Sequence, residues 1–137
     1  MNQTLRRLAS VSLTAAALGA ALLTTAAPAT AYAKDGYLEA DEFGLFYSIG
    51  NTGCVFDLYG SDVNFTDNTF KGPSGCAGYG RNVNDNTESY RNRDVVTWQV
   101  WTDKDYDGSL GFVPRGYSGD ASTTFRNKIS SSNYKLG

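Results

Sequence analysis

The chemistry open to this chain is limited by the residue types that it lacks. The sequence contains no histidine among its 137 residues, so neither a Ser-His-Asp nor a Cys-His catalytic arrangement is available. Zinc sites use more Cys or His ligands than the two cysteines present here. Pairs of carboxylates remain, but the acidic residues stand in turns rich in Gly and Asn, where solvent exposure is the rule. We therefore expect that the protein is not an enzyme.

The densest run of potential metal ligands is Asp103 to Gly108, which reads Asp-Lys-Asp-Tyr-Asp-Gly. Alternating aspartates followed by a glycine begin the calcium loop of an EF-hand. The remainder of that loop is missing, because its twelfth position should be a bidentate Glu and is Pro114, and no helical pattern flanks it. We interpret the run as acidic residues on a β-hairpin.

The N-terminus has the three-part pattern of a signal peptide. Residues 1–7 carry Arg6 and Arg7 and no acid, residues 8–23 are apolar or small, and residues 24–33 end in Ala-Tyr-Ala. This order of a basic, an apolar and a small-residue region predicts export with cleavage. The apolar run is shorter than the roughly 20 residues of a membrane-spanning helix. We predict a signal peptide over residues 1–33, with cleavage after Ala33 or, as an alternative, after Ala31.

The two cysteines, Cys54 and Cys76, both lie after the predicted cleavage site. An exported chain meets an oxidising compartment, in which a disulfide between them is the expected outcome. A redox pair is disfavoured because the Cys-x-x-Cys spacing is absent.

The predicted mature chain, residues 34–137, has the size of one domain. Its ten basic and fourteen acidic residues give a net charge of −4. This acidic excess argues against nucleic-acid binding, and no second apolar run is long enough to span a membrane. We expect a secreted, extracellular monomer that contacts neither nucleic acid nor membrane.

The mature sequence has the pattern of an all-β protein. Residues 96–101 alternate, with Val96, Trp98 and Val100 on one face, as in a half-buried strand. Residues 54–58 and 110–113 are short apolar runs suited to buried strands. The Gly- and Asn-rich stretch 71–86 predicts a long loop held at Cys76.

Several features occur twice and in the same order. Phe46 and Trp101 are each followed seven residues later by a glycine, Gly53 and Gly108, and each glycine leads into an apolar strand. Later in each half comes Asn-x-x-Ser, at 86–89 and at 127–130. Two copies of one β unit, each too small to bury a core alone, should pack face to face.

The spacing Trp101-x4-Tyr106-x-Gly108 resembles the hairpin motif of the βγ-crystallin fold, although Asn51 replaces the second aromatic residue in the first copy. Residues 45–134 are similar to secreted actinobacterial proteins of peptidase inhibitor family I36. The stretches that carry this similarity are 44–47, 86–94, 100–103 and 126–131. The resemblance implies a single βγ-crystallin-like Greek-key β-sandwich over residues 34–137.

The resemblance also implies calcium-binding loops, in which two Asn or Asp residues are followed by two variable residues and then Ser or Thr and Ser. The candidate ligands are Asn86, Ser89, Asn127 and Ser130. Arg126 would place a cation beside the second loop, and calcium prefers six to eight oxygen ligands. We expect weak calcium binding or none, and no required cofactor.

The family resemblance implies a protease inhibitor that acts on an extracellular protease, with a metalloprotease as the expected target, by placing a loop in its cleft. The inhibitory loop itself is unknown, because no position matches a second disulfide loop. Two Gly-rich segments are candidates, 50–55 beside Cys54 and 71–79 around Cys76. The alternative functions are a structural or calcium-binding βγ-crystallin-type envelope protein and a small antimicrobial protein of the same fold.

Overall fold

The structure, a computed structural model, describes residues 33–135. The signal peptide predicted for residues 1–33 lies outside this range except for Ala33. Within it the chain forms seven β-strands and two short 3-10 turns. The strands are β1 (Phe43–Ser48), β2 (Thr52–Leu58), β3 (Ser89–Asn92), β4 (Thr97–Asp103), β5 (Asp107–Val113), β6 (Ser118–Asp120) and β7 (Ser131–Lys135), and the 3-10 turns are Phe65–Asp67 and Lys104–Tyr106.

The strands form two antiparallel sheets that exchange segments between the halves of the chain. One sheet has the order β2-β1-β3-β6 and the other β5-β4-β7. The first sheet thus takes β6 from the second half. In return, Asp62 of the first half forms an isolated bridge with Ser132 of β7. This Greek-key exchange confirms the all-β class, and it shows that neither half forms a sheet by itself.

The two hairpins, β1-β2 and β4-β5, have the same register, as the internal repeat predicts. Phe46 pairs with Val55, and Trp101 pairs with Leu110 at the same spacing. Both registers shift within the next two residues, and both turns place a glycine at a φ near 80°, Gly53 and Gly108. Such positive φ values favour glycine.

The residue at the second aromatic position of the hairpin motif also has positive φ in both copies. Tyr106 has φ 58° and Asn51 has φ 56°. Asn is one of the few non-glycine residues that adopt this conformation readily. The first hairpin therefore keeps the backbone of the second without its aromatic ring.

The core lies between the two sheets and is rich in aromatic rings. Trp98 of β4 stacks on Phe43 of β1 with ring centroids 5.0 Å apart, and Phe56 meets Phe65 edge-on at 5.1 Å. Trp98 and Val100 are buried, so the predicted half-buried strand at residues 96–101 is confirmed.

The apolar run at residues 110–113 was predicted to be a buried strand, and this prediction is wrong for most of its length. Leu110 is 37 % exposed and Phe112 is 54 % exposed, whereas Val113 is buried. The reason is that β5 is at the edge of its sheet, and pairing with β4 places Leu110 and Phe112 opposite Trp101 and Gln99 on the outer face. The run at 54–58 is buried throughout, as predicted. Over the described part of the chain, no helix is long and apolar enough to cross a membrane.

Candidate functional site

The loop predicted around Cys76 is fastened to the first hairpin at several points. Cys54 and Cys76 form a disulfide, with their Cα atoms 5.2 Å apart. The amide of Cys54 donates to the carbonyl of Ala77 at 2.9 Å. Val55 also forms an isolated bridge with Lys71. The predicted disulfide is therefore confirmed, and the loop lies along β2.

A large apolar side chain is exposed within one of the two segments predicted as inhibitory loops and directly beside the other. Ile49, beside the 50–55 turn, is 51 % exposed, and Tyr79, at the end of the 71–79 loop, is 63 % exposed. Gly78 next to Tyr79 fits closely under Tyr47, because a Cβ atom there would lie 2.2 Å from the ring. Both loops thus remain candidates on exposure alone.

A third loop, residues 93–96 between β3 and β4, was not singled out from the sequence. Its tip residue, Val95, is 60 % exposed. The preceding Asp94 is held on both sides, because its amide donates to Oδ1 of Asn92 at 2.8 Å and its Oδ2 accepts from Nε1 of Trp98 at 2.9 Å. The loop is therefore braced by side-chain hydrogen bonds directly behind an exposed apolar tip.

Asn92 is the central brace of this loop. Its side chain is buried, and its Nδ2 donates to the carbonyls of Val96 and Val113, both at 2.9 Å. The backbone of Arg93 is fixed as well, because its amide donates to Glu42 and its carbonyl accepts from Asp41. One buried amide thus joins the start of the loop, its end and strand β5.

Two exposed tyrosines flank the tip of this loop. Val95 borders a depression of about 400 Å³ that is also lined by Tyr59 and Tyr134. Tyr59 is 62 % exposed and Tyr134 is 39 % exposed. Tyrosine is one of the residue types enriched among those that contribute most to protein–protein binding. We refer to Val95, Tyr59 and Tyr134 together as the tip patch.

The candidate calcium ligands are only partly brought together. Asn127 and Ser130 line an open polar groove of about 710 Å³, together with Asp85 and Asp103. The Ser130 hydroxyl donates to Oδ1 of Asp85 at 3.1 Å, which links the two repeats. The Nδ2 of Asn86 instead donates to the carbonyls of Asn82 and Asn84.

Ser89 occupies a hairpin position rather than the groove. Its hydroxyl donates to the carbonyl of Ser48 at 2.6 Å and accepts from the amide of Asn51 at 3.0 Å. Ser131 makes the same two bonds in the second half, to Asp103 and from Tyr106. The equivalent serines are thus Ser89 and Ser131. The pairing of 86–89 with 127–130 had matched Ser89 with Ser130, so the structure moves the alignment of the two repeats by one position.

The corrected alignment makes Asp85 the equivalent of Asn127, and both have positive φ, 61° and 55°. It also makes Glu88 the equivalent of Ser130. The described residues 33–135 contain no group of three or more Asp, Glu, Cys or His side chains that could hold a metal ion. The Asp103–Gly108 run forms the turn between β4 and β5, as its interpretation as a hairpin predicts.

Two buried carboxyl groups lie near the start of the described chain. Burial, together with the nearby carboxylates of Asp57 and Glu39, raises the pKa of Glu42 to about 7, although a hydrogen bond from the Glu39 amide lowers it. Burial likewise raises the pKa of Asp57, although its carboxylate accepts from two backbone amides. Both side chains are fully inaccessible to solvent.

Comparison with known proteins identifies the group to which this arrangement belongs. Residues 29–113, well over half of the chain, match the sequence model of peptidase inhibitor family I36. The chain belongs to peptidase inhibitor family I36. No match is found among curated protein sequences.

Solved structures agree on the fold of this family I36 member. A structure described under the evolution of the eye lens βγ-crystallin domain fold aligns with a TM-score of 0.54 and 16 % identity, covering 78 % of this chain and 93 % of the other. A βγ-crystallin from Ciona intestinalis aligns with a TM-score of 0.51 and 16 % identity, covering 69 % of this chain and 99 % of the other. At this identity the similarity shows the βγ-crystallin fold alone.

Proposed function

We propose that this family I36 protein is a secreted inhibitor of an extracellular metalloprotease and that the loop 93–96 enters the protease cleft. Membership of a peptidase inhibitor family supports inhibition in general. The observation that carries the loop assignment is the braced backbone behind Val95. A loop that is already ordered loses little conformational entropy on binding.

The bracing also explains how a rigid loop is possible with a single disulfide. The buried side chain of Asn92 holds both ends of the segment, in the way that a second crosslink would. A segment held this firmly binds as a substrate does but resists the distortion that cleavage needs. Inhibitors with preorganised loops gain affinity for the same reason.

The side chains at the tip favour an apolar specificity pocket. Val95 is the exposed residue at the tip, whereas the neighbouring Arg93 uses its Nη1 to donate to the carbonyl of Leu38 at 2.8 Å. A trypsin-like protease has an aspartate in its specificity pocket and selects a basic side chain. The exposed tip therefore supports a protease whose pocket accepts an aliphatic residue rather than a basic one.

The test is to titrate the exported protein against a thermolysin-like metalloprotease, with trypsin as the control. Stoichiometric inhibition of the first enzyme alone is expected. Slow digestion of the protein without inhibition at micromolar concentration would overturn the proposal and favour a structural role instead.

The loop is assigned by three matched variants, each of which places a charge on one exposed apolar residue: Ile49→Asp, Tyr79→Asp and Val95→Asp. Because the three sites are similarly exposed, the variants should fold equally well. A residue central to an interface contributes about 2 kcal/mol or more, so Val95→Asp should weaken inhibition by roughly 30-fold or more. If Tyr79→Asp or Ile49→Asp abolishes inhibition and Val95→Asp does not, the loop assignment is wrong even though inhibition stands.

A second candidate function, calcium binding, is favoured by the polar groove. Asp85 and Ser130 meet there across the two repeats, beside Asn127 and Asp103. Against it, Lys128 lines the same groove, and a cation in the site opposes a second one. We therefore place calcium binding behind inhibition.

A further inference from the structure

The first residues of the described chain are anchored to Asp57 of β2. The amide of Lys34 donates to the backbone carbonyl of Asp57 at 2.8 Å. The next two amides, of Asp35 and Gly36, donate to its carboxylate at 3.2 and 2.8 Å. Gly36 is buried so closely against Gly72 that a Cβ atom would lie 2.3 Å from the Gly72 nitrogen. The segment is thus a fixed part of the fold from Lys34 onward.

Asp57 has no cationic partner among the described residues. Its side chain is fully buried, and the hydrogen bonds that reach it come from neutral amides. The side chain of Lys34 is used elsewhere, because its Nζ lies 2.7 Å from Asp62 in the one ion pair that residues 33–135 contain. A buried carboxylate without a charged partner is costly.

Lys34 is also held in an unfavourable conformation. Its φ is 65°, in the left-handed region that side-chain-bearing residues rarely adopt. The torsion φ is defined by the carbonyl carbon of the preceding residue, so an N-terminal residue has none. Cleavage between Ala33 and Lys34 would remove this strain, whereas cleavage after Ala31 would retain it. Ala33 itself is exposed.

We propose that export processing cuts between Ala33 and Lys34 and that the freed α-ammonium group of Lys34, whose nitrogen donates to the backbone carbonyl of Asp57, supplies the positive charge that the buried Asp57 carboxylate lacks. In the hydrolysis, water adds across the peptide bond, Ala33 leaves as a carboxylate, and the amino group of Lys34 takes up a proton. Free α-amino groups have a pKa of about 8 and are largely protonated at neutral pH. Processing therefore stabilises the fold as well as releasing the leader.

The first test locates the cut. Mass spectrometry of the protein exported from the full-length chain should show Lys34 as the N-terminal residue. The variant Ala33→Gln removes the small residue that this cut requires and should shift it to after Ala31, giving a product that begins at Tyr32 and keeps an amide at Lys34. An unmodified protein that begins at Tyr32 would overturn the proposal.

The second test measures the coupling between the amino group and Asp57. Asp57→Asn should raise the unfolding equilibrium constant at least tenfold more in the protein that begins at Lys34 than in the Ala33→Gln product. The matched control is Asp62→Asn, which breaks the side-chain ion pair of the same lysine and should have equal effects in both proteins. An equal effect of Asp57→Asn in the two proteins would refute the assignment.

A chemical version of the test needs no substitution and therefore remains available if Asp57→Asn does not fold. Acetylation at pH 7 modifies the α-amino group while lysine side chains, with a pKa near 10.4, stay protonated. The acetylated protein should melt several degrees lower than the unmodified protein, about 5 °C for a domain of this size. An unchanged melting temperature would show that the α-ammonium group stabilises nothing.

Discussion

Removing the disulfide should cost much of the stability of this domain. The crosslink joins residues 22 apart, and the chain-entropy treatment of such a loop gives about 3 kcal/mol at 25 °C. Cys54 is buried and Cys76 only partly so, so replacing both by alanine keeps the core apolar and isolates the loss of the crosslink.

The measurement is equilibrium unfolding in urea at pH 7, for the double variant and for the exported protein with and without reductant. The free energy of unfolding should fall by about 3 kcal/mol, and the reduced protein should coincide with the double variant. A loss below about 1 kcal/mol would refute the reasoning. It would mean that the unlinked chain keeps residual structure around the loop when it is unfolded, so that the crosslink removes little entropy from the unfolded state.

The same variant separates the candidate inhibitory loops. The disulfide holds the 71–79 loop, whereas the hydrogen bonds that hold the 93–96 loop do not involve either cysteine. At a temperature where the double variant remains folded, inhibition should therefore be unchanged. A loss of inhibition in fully folded protein would transfer the inhibitory role to the 71–79 loop.

Three other measurements test the structure at separate places. Glu42 has a pKa of about 7 in the folded protein against 4.5 in the unfolded chain, so the folded state binds its proton more tightly and the free energy of unfolding should fall as pH rises from about 5 to 7. Glu42→Gln should flatten this pH dependence and stabilise the protein at pH 8 by up to about 3 kcal/mol. A free energy of unfolding in urea that does not change between pH 5 and 8 would contradict the raised pKa. Gly108→Ala should destabilise the protein by more than Gly50→Ala, because both have positive φ but only at Gly108 would a Cβ atom clash, 2.3 Å from Oγ1 of Thr102; equal melting temperatures would count against the hairpin geometry. Calorimetry with calcium should show weak binding or none, whereas a submicromolar site that Asp85→Ala abolishes would show that the groove holds the ion.

Much of the fold could be predicted from the sequence because its signals are local or periodic. The alternation around Trp98 marks a strand whatever the rest of the chain does, and the matched spacing of Phe46–Gly53 and Trp101–Gly108 reflects two hairpins with one backbone path. The burial of residues 110–113 could not be predicted in the same way. An apolar run indicates a strand, but whether that strand is central or at an edge depends on which other strands pair with it.

The alignment of the two repeats shows a second limit of sequence reasoning. Matching residue types paired 86–89 with 127–130, because Asn and Ser recur at the same spacing. The structure aligns the repeats by backbone conformation instead, through the positive φ of Asp85 and Asn127 and through the hairpin bonds of Ser89 and Ser131. A positive φ at a residue other than glycine leaves little trace in a single sequence.

The braced loop at 93–96 was missed because its order comes from distant parts of the chain. Asn92 and Asp94 are spaced for a local side-chain turn, which the sequence alone would show, but such turns are common in surface loops. This loop is rigid because Asn92 donates to the carbonyl of Val113 and because Arg93 hydrogen-bonds the backbone of residues 41 and 42. These partners lie beside the loop only because β1 pairs with β3 and β4 pairs with β5.

This dependence on tertiary pairing connects the loop to the stability of the whole domain. The carbonyl of Val113 belongs to the last residue of edge strand β5, and the Trp98 indole that holds Asp94 is stacked in the core on Phe43. A loop supported in this way is ordered only while both sheets are formed, unlike a loop closed by its own disulfide. In the proposed mechanism, each part of the fold that orders this loop contributes to protease binding as well as to stability.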